Sequence, residues 1–205
     1  MEANKVRIAV LVSGGGTNLG ALIKAQNSGI INSGKIELVI SNKAGAYALT
    51  RAEKAGIKSE VVLKKELGSQ AAFEERIVEL LEKNDIDIIV LAGFMAILSE
   101  SFTSRFPKRI INVHPSLIPA FCGKGFYGLV PHEKALEKGV KVTGATVHFV
   151  NEIPDGGEII MQKAVYIKED DTPETLQKRV MRLAEWKILP LSVEKVCGDI
   201  MKERG

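Results

Sequence analysis

The hydrophobic positions of this chain come in short dense runs separated by stretches with a 3.6-residue beat. Residues 6–12, 36–40, 86–92 and 109–113 are β-branched or aliphatic almost throughout, and residues 60–63 form a shorter run of the same kind. Runs of that length and composition predict buried strands. Between them, Leu19, Leu22 and Ile23 recur at helical spacing. A second helix is predicted over residues 47–54 with Gly56 as its stop, and residues 71–82 set Phe73, Ile77, Leu80 and Leu81 on one stripe. Strands apolar on both faces and alternating with helices indicate a parallel sheet covered on both sides. Beyond about residue 140 the pattern changes. Residues 143–150 and 158–167 read as two strands joined by Asn151-Glu152-Ile153-Pro154-Asp155-Gly156-Gly157, an antiparallel hairpin. A last helix is predicted from Pro173, a favourable first helical residue, to Val196, with Pro190 as the expected kink. The fold class is therefore α/β: a doubly wound, Rossmann-like, mostly parallel sheet with a C-terminal antiparallel hairpin and a long terminal helix. No repeat or Pro/Ser-rich linker divides residues 1–205, so one domain is expected.

Composition narrows the classes of function. Of 205 residues, 45% are hydrophobic and 26% charged, enough to bury a core and to exclude disorder as the default state. The net charge of +3 suits small anionic ligands but falls far short of a dedicated nucleic-acid binder. The longest apolar run, residues 88–98, is too short to cross a bilayer, and after Arg7 only residues 8–12 are continuously apolar, so no signal segment is read. Cys122 and Cys197 form no paired spacing. A soluble cytoplasmic protein is expected, without a disulfide framework, metal, membrane or nucleic-acid partner.

In doubly wound sheets, ligands lie beyond the carboxyl ends of the strands. The loops after Val12, Ala92, Val113 and Val150 are therefore the places to search. The first is Ser13-Gly14-Gly15-Gly16-Thr17-Asn18, between a strand and a helix. Glycines allow close backbone approach and the helix start presents unpaired N–H groups, an arrangement suited to a phosphate; Thr17 and Asn18 add side-chain donors. A ligand-free tight turn remains the alternative, because neither the dinucleotide fingerprint nor the P-loop pattern fits. In Ile111-Asn112-Val113-His114-Pro115, residues i and i+2 of an extended segment face the same way, and Pro115 keeps His114 extended. An amide and an imidazole side by side can bind a developing oxyanion and manage a proton; hydrogen bonding to loop backbone is the structural alternative. Asp155, in Pro-Asp-Gly-Gly, reads first as a turn residue. His148 on its strand and His132 at a helix start read as structural, and Lys124 as a solvated lysine.

Taken together, Ser13–Asn18, the Ala-Gly-Phe-Met-Ala-Ile-Leu run over residues 92–98, Asn-Val-His-Pro-Ser-Leu-Ile-Pro over 112–119, and Thr-Gly-Ala-Thr-Val-His-Phe-Val over 143–150 followed by Asp155-Gly-Gly closely resemble the phosphoribosylglycinamide formyltransferases, folate-dependent enzymes of purine synthesis. The resemblance runs from Val6 to about Leu191. It implies the formyltransferase fold, with 10-formyltetrahydrofolate as formyl donor, no metal, and glycinamide ribonucleotide as acceptor, in a monomer or homodimer. It assigns Gly16, Thr17, Asn18 and Glu185 to the phosphoribosyl group. Gln70, Met95, Ala96, Ile97, Leu98 and Asn112 fall to the folate, with the loop at residues 151–155 as a further pterin wall. Asn112, His114 and Asp155 match the catalytic trio. The sequence departs from the family at Gln70 and Ala96, where many members have arginine, and at Pro154. It also departs in a longer stretch at residues 121–128 and by one residue inserted before Glu185.

Three neighbouring readings are separable. A methionyl-tRNA formyltransferase is expected to carry a further C-terminal domain, and a formyltetrahydrofolate hydrolase to carry an N-terminal regulatory domain and lack the phosphate loop. A phosphosugar-binding module would use the glycine loop and leave Asn112, His114 and Asp155 without a task.

Overall fold

A computed structural model describes residues 5–204. Seven strands form one sheet: β1 (Val6–Val12), β2 (Gly34–Ser41), β3 (Lys58–Val61), β4 (Ile88–Leu91), β5 (Ile110–His114), β6 (Val142–Phe149) and β7 (Ile159–Tyr166). Their order is β3-β2-β1-β4-β5-β6-β7. The first five are parallel to one another, while β6 runs antiparallel to both β5 and β7. The helices are α1 (Thr17–Asn27), α2 (Tyr47–Lys54), α3 (Lys64–Leu67), α4 (Gln70–Lys83), α5 (Glu100–Thr103), α6 (Val130–Lys138), α7 (Pro173–Val180) and α8 (Trp186–Arg204), with a π-helical turn at Met181–Glu185.

The dense apolar runs become strands because both faces of each central strand are covered. Val6, Ile8, Val10 and Val12 of β1 point into a core shared with Leu19 and Leu22 of α1 and with Leu189 and Val193 of α8. Ala9 and Leu11 face the other way, against Phe73, Ile77 and Leu81 of α4. The period of two along β1 thus feeds two separate cores, as a doubly wound sheet requires.

Two expectations shift. The short third strand lies at Lys58–Val61 rather than over residues 60–63. It is an edge strand, and its position follows from pairing with residues 38–41 of β2 rather than from its own hydrophobicity. The C-terminal helix continues past Val196 to Arg204 and is interrupted at the π turn, not at Pro190. A π turn accommodates one extra residue within a helix, and Glu185 is the last residue of this one. Pro190 lies inside α8 with its ring buried in the core; that burial offsets the hydrogen bond its missing N–H cannot donate to the Trp186 carbonyl.

Candidate active site

The order β1-β4-β5 brings the carboxyl ends of three parallel strands side by side. The glycine loop, the segment after β4 and the Asn112–His114 pair therefore line one rim of the sheet.

The glycine loop is shaped by α2. The Ala48 N–H donates to the Gly14 carbonyl at 3.0 Å, and Arg51 Nε donates to the Gly15 carbonyl at 2.8 Å. With both carbonyls drawn toward α2, the N–H groups of the same peptides turn the other way. Gly16 caps α1 with φ +67°, and a β-carbon there would sit 2.6 Å from that of Ala48. Both the left-handed backbone and the close approach require glycine. Gly16→Ala is expected to cost about 1–3 kcal/mol, read as a lower urea midpoint; an unchanged midpoint would mean that the loop shifts freely. A groove of about 450 Å³ opens beside this loop, with Lys43 and Tyr47 in its wall.

Behind the loop, Thr17 is exposed and begins α1, whereas the Asn18 side chain is buried. Asn18 Nδ2 donates to Glu185 Oε2 at 2.8 Å, so the amide expected to face a phosphate is committed to the carboxyl carried by the π turn. Asn18 Oδ1 is buried without a partner. Desolvation pushes the Glu185 carboxyl from its ordinary 4.5 up to about 7, against the opposing hydrogen bond from Asn18. Because the folded-state value is raised, the stability that protonation contributes is fully present below the unfolded value and is lost as pH rises through about 7. Over that window the loss is about 3 kcal/mol. Glu185→Gln keeps an acceptor for Asn18 without the charge. Urea titrations near pH 5 and pH 8 should therefore show a flatter dependence for the variant, which would be the more stable protein at the higher pH.

Beyond β5 the expected pair is present and enlarged. Asn112 and His114 share one face of β5, and register places His148 of β6 directly opposite Asn112. The opposite face, Ile111, Val113 and Val147, is core. The hairpin loop folds back over the polar face and delivers Asp155, held at φ +55°. Asp155 Oδ2 lies 3.4 Å from His114 Nδ1 and Oδ1 lies 3.5 Å from His148 Nε2. The Gly123 N–H donates to Oδ2 at 2.8 Å. His114 Nε2 is 2.9 Å from the Phe121 carbonyl, which only accepts, so this nitrogen carries a proton. His148 Nδ1 stands in the same relation to the Phe149 carbonyl at 2.7 Å. When His148 is neutral, its Nε2 accepts from Asn112 Nδ2 at 3.2 Å; when protonated, it serves the Asp155 carboxylate.

The charges in this cluster oppose burial. Burial lowers the His114 imidazole below its ordinary value, while the Asp155 carboxylate and the Phe121 carbonyl pull it back up. Burial alone would raise the Asp155 carboxyl, but the bond with His148, the Gly123 N–H and the two imidazoles outweigh it, and the carboxyl lies below its usual range. His132, buried on α6 with both ring nitrogens unpartnered, is pushed by desolvation down to about 4. It stays neutral at ordinary pH.

The segment after β4 is an apolar strap. Met95 and Ile97 are 48% and 72% exposed, and Ile153 of the hairpin loop is 57% exposed, so large apolar groups stand in solvent around the rim. Ala96 and Leu98 turn inward onto the α4 core. The Met95 N–H donates to Ser13 Oγ at 2.8 Å, which ties strap to glycine loop. Gln70 touches the strap, donating to the Ile97 carbonyl at 3.0 Å.

The sequence reading missed His148 as a member of the site. An alternating strand offers no sign of it until the hairpin register sets it opposite Asn112. It also left residues 121–128 without a task, yet Phe121 and Gly123 supply the backbone groups that hold His114 and Asp155. Lys124 is exposed, as a solvated lysine should be. Among the described residues, no group of three or more His, Cys, Asp and Glu side chains could hold a metal ion, and no helix is long and apolar enough to cross a membrane.

Comparison with known proteins bears on this geometry. A formyl transferase family model matches residues 6–193. The chain is 44% identical to phosphoribosylglycinamide formyltransferase of Haemophilus influenzae, over 92% of this chain and 85% of that one. It is 47% identical to the human trifunctional purine biosynthetic protein adenosine-3 over 98% of its own length. It spans about a fifth of the length of that protein and of its chicken and bovine counterparts. Among solved structures, glycinamide ribonucleotide transformylase 1 from Symbiobacterium toebii superposes with a TM-score of 0.89 at 40% identity, covering 95% of this chain and 89% of that one. A phosphoribosylglycinamide formyltransferase from Coxiella burnetii, in complex with CHES, gives 0.87 at 39% identity over 96% of this chain and 89% of its own. With the match running through glycine loop, strap, Asn112–His114 pair and hairpin alike, this chain belongs to the formyl transferase family.

Proposed function

We propose that this chain transfers the formyl group of 10-formyltetrahydrofolate to the glycinamide amine of N1-(5-phospho-D-ribosyl)glycinamide, a step of de novo purine synthesis. Residues 1–205 act in this reading as one formyltransferase domain, with two small-molecule substrates, in the cytoplasm, as a monomer or homodimer. The observation that carries the reading is the approach of Asp155 to within 3.4 Å of His114 on the face that also bears Asn112.

The phosphate of the acceptor sits on the outward N–H of Gly16 and on the first N–H of α1, that of Thr17, where the helix end favours an anion. Glu185, oriented by Asn18, takes the ribose hydroxyls. The pterin lies between the strap, Met95 to Leu98, and the loop at residues 151–155. There the exposed Met95, Ile97 and Ile153 gain an apolar partner.

As the amine attacks the formyl carbon, negative charge grows on the formyl oxygen. Asn112 donates to it through Nδ2, and the His114 imidazolium donates as well. The 3.4 Å spacing between His114 Nδ1 and Asp155 is longer than a good hydrogen bond, so that nitrogen is free to serve the reaction centre. The Asp155 carboxylate favours the imidazolium and positions a water that carries the proton from the amine to the departing folate nitrogen. No covalent intermediate on the protein is required.

The deciding experiment mixes the protein with 10-formyltetrahydrofolate, with and without glycinamide ribonucleotide, and measures deformylated folate and formylated product. Stoichiometric product only when both substrates are present supports the transferase. Folate turnover without the nucleotide indicates a hydrolase, and no turnover with both present indicates a binding module.

A further inference from the structure

Glu74 is buried in the middle of α4, although a mid-helix glutamate beside Phe73 and Ile77 would ordinarily be expected on a solvated face. A carboxylate taken out of water costs several kcal/mol unless donors replace the lost hydration. Here three donors do so, and all three lead to the strap. The Ser99 N–H donates to Glu74 Oε1 at 2.7 Å, and the Ser99 hydroxyl donates to Oε2. Gln70, one turn earlier on the same helix, donates to Oε1 at 2.6 Å. The same Gln70 nitrogen donates to the Ile97 carbonyl at 3.0 Å. Ser99 in turn caps α5 by accepting from the Phe102 N–H. With Met95 tied to Ser13 at its other end, the strap is held at three points.

This segment needs such holding. Ala96 and Leu98 pack on the α4 core, but Met95 and Ile97 present large apolar surface to solvent, so no core contact of their own fixes where those two side chains stand. An unheld strap would fold its apolar side chains inward and leave no preset wall. A carboxylate accepting from backbone N–H, hydroxyl and amide at once sets a direction that apolar packing cannot.

We propose that Glu74 and Gln70 are positioning residues for the formyl donor, presetting residues 95–98 as a rigid apolar wall. This inference rests on the assignment of the strap to the pterin. Both amide hydrogens of Gln70 are used within the protein, so it acts on the donor through the strap and offers no N–H to the donor's glutamate tail.

Two variants test it. Glu74→Gln removes the charge and puts an NH₂ in place of Oε2, so that the single remaining acceptor oxygen serves the Ser99 N–H and Gln70 while the Ser99 hydroxyl loses the oxygen it donates to. Gln70→Ala, at the half-buried start of α4, removes the link to Ile97 with little threat to folding. Steady-state kinetics should show KM for 10-formyltetrahydrofolate rising about tenfold in Glu74→Gln and about threefold in Gln70→Ala, with kcat and KM for the ribonucleotide near wild type. Hydrogen exchange at the Ser99 amide should be faster in Glu74→Gln, and the Kd for tetrahydrofolate by calorimetry should rise with the KM. The ratio of KM for mono- and polyglutamylated donors should be the same in Gln70→Ala as in wild type. Folded variants with wild-type donor KM overturn the inference, as does an equal loss for both substrates in step with lost stability. A changed tail-length ratio overturns the role given to Gln70. A wild-type protein that transfers no formyl group but binds tetrahydrofolate, more weakly in the variants, would sink the proposed reaction and leave this inference standing; one that binds no tetrahydrofolate overturns both.

Discussion

Asn112→Ala is expected to lower kcat by about 10²–10³ while KM for both substrates stays close to wild type, the signature of a donor that acts in the transition state. The prediction is sharp because Asn112 has so little structural work. Its backbone is held by pairing with Leu91 and His148, which alanine preserves. Its amide has one partner, His148 Nε2 at 3.2 Å. If the residue served only to satisfy His148, the variant would lose stability and keep turnover. Steady-state kinetics beside a urea titration separates these outcomes, and wild-type turnover would remove Asn112 from the mechanism.

Asp155→Asn is expected to cost about 10²–10⁴ in kcat, the range for a lost acid–base partner. Asparagine tolerates the φ of +55° that the turn imposes and can still accept from the Gly123 N–H, so the loop should hold its shape. What disappears is the charge. The Asp155 carboxylate raises the His114 imidazole against the larger lowering effect of burial. Without it the imidazole titrates at lower pH, and less imidazolium remains at neutral pH. The acid side of the kcat profile should therefore be retained best, with the descending limb moved toward lower pH. NMR titration of the ring checks the cause directly. A pH profile superimposable on that of wild type would contradict the pairing.

The strands and the stripe of α4 were legible because each rests on local periodicity. The boundary of β3 was not, because an edge strand ends where its partner ends. The interruption of the last helix fell at the π turn and not at Pro190. A proline announces a lost hydrogen bond, yet α8 runs on through Pro190 with the residue buried. Glu74 shows the same limit, since a glutamate in a helix is written identically whether it faces water or three donors.

Local order along the chain thus settled the alternation of strand and helix, the glycine loop at the end of β1, and the common face of Asn112 and His114, because alternation by two is a property of any extended segment. The tertiary structure alone decided that the hairpin folds back to bring Asp155 to His114, that His148 stands opposite Asn112, and that Glu185 meets Asn18 through a π turn. These are meetings of polar groups far apart in the chain. Hydrophobic patterning specifies which faces are buried, but which polar groups share that burial is set by the partners that can replace their water.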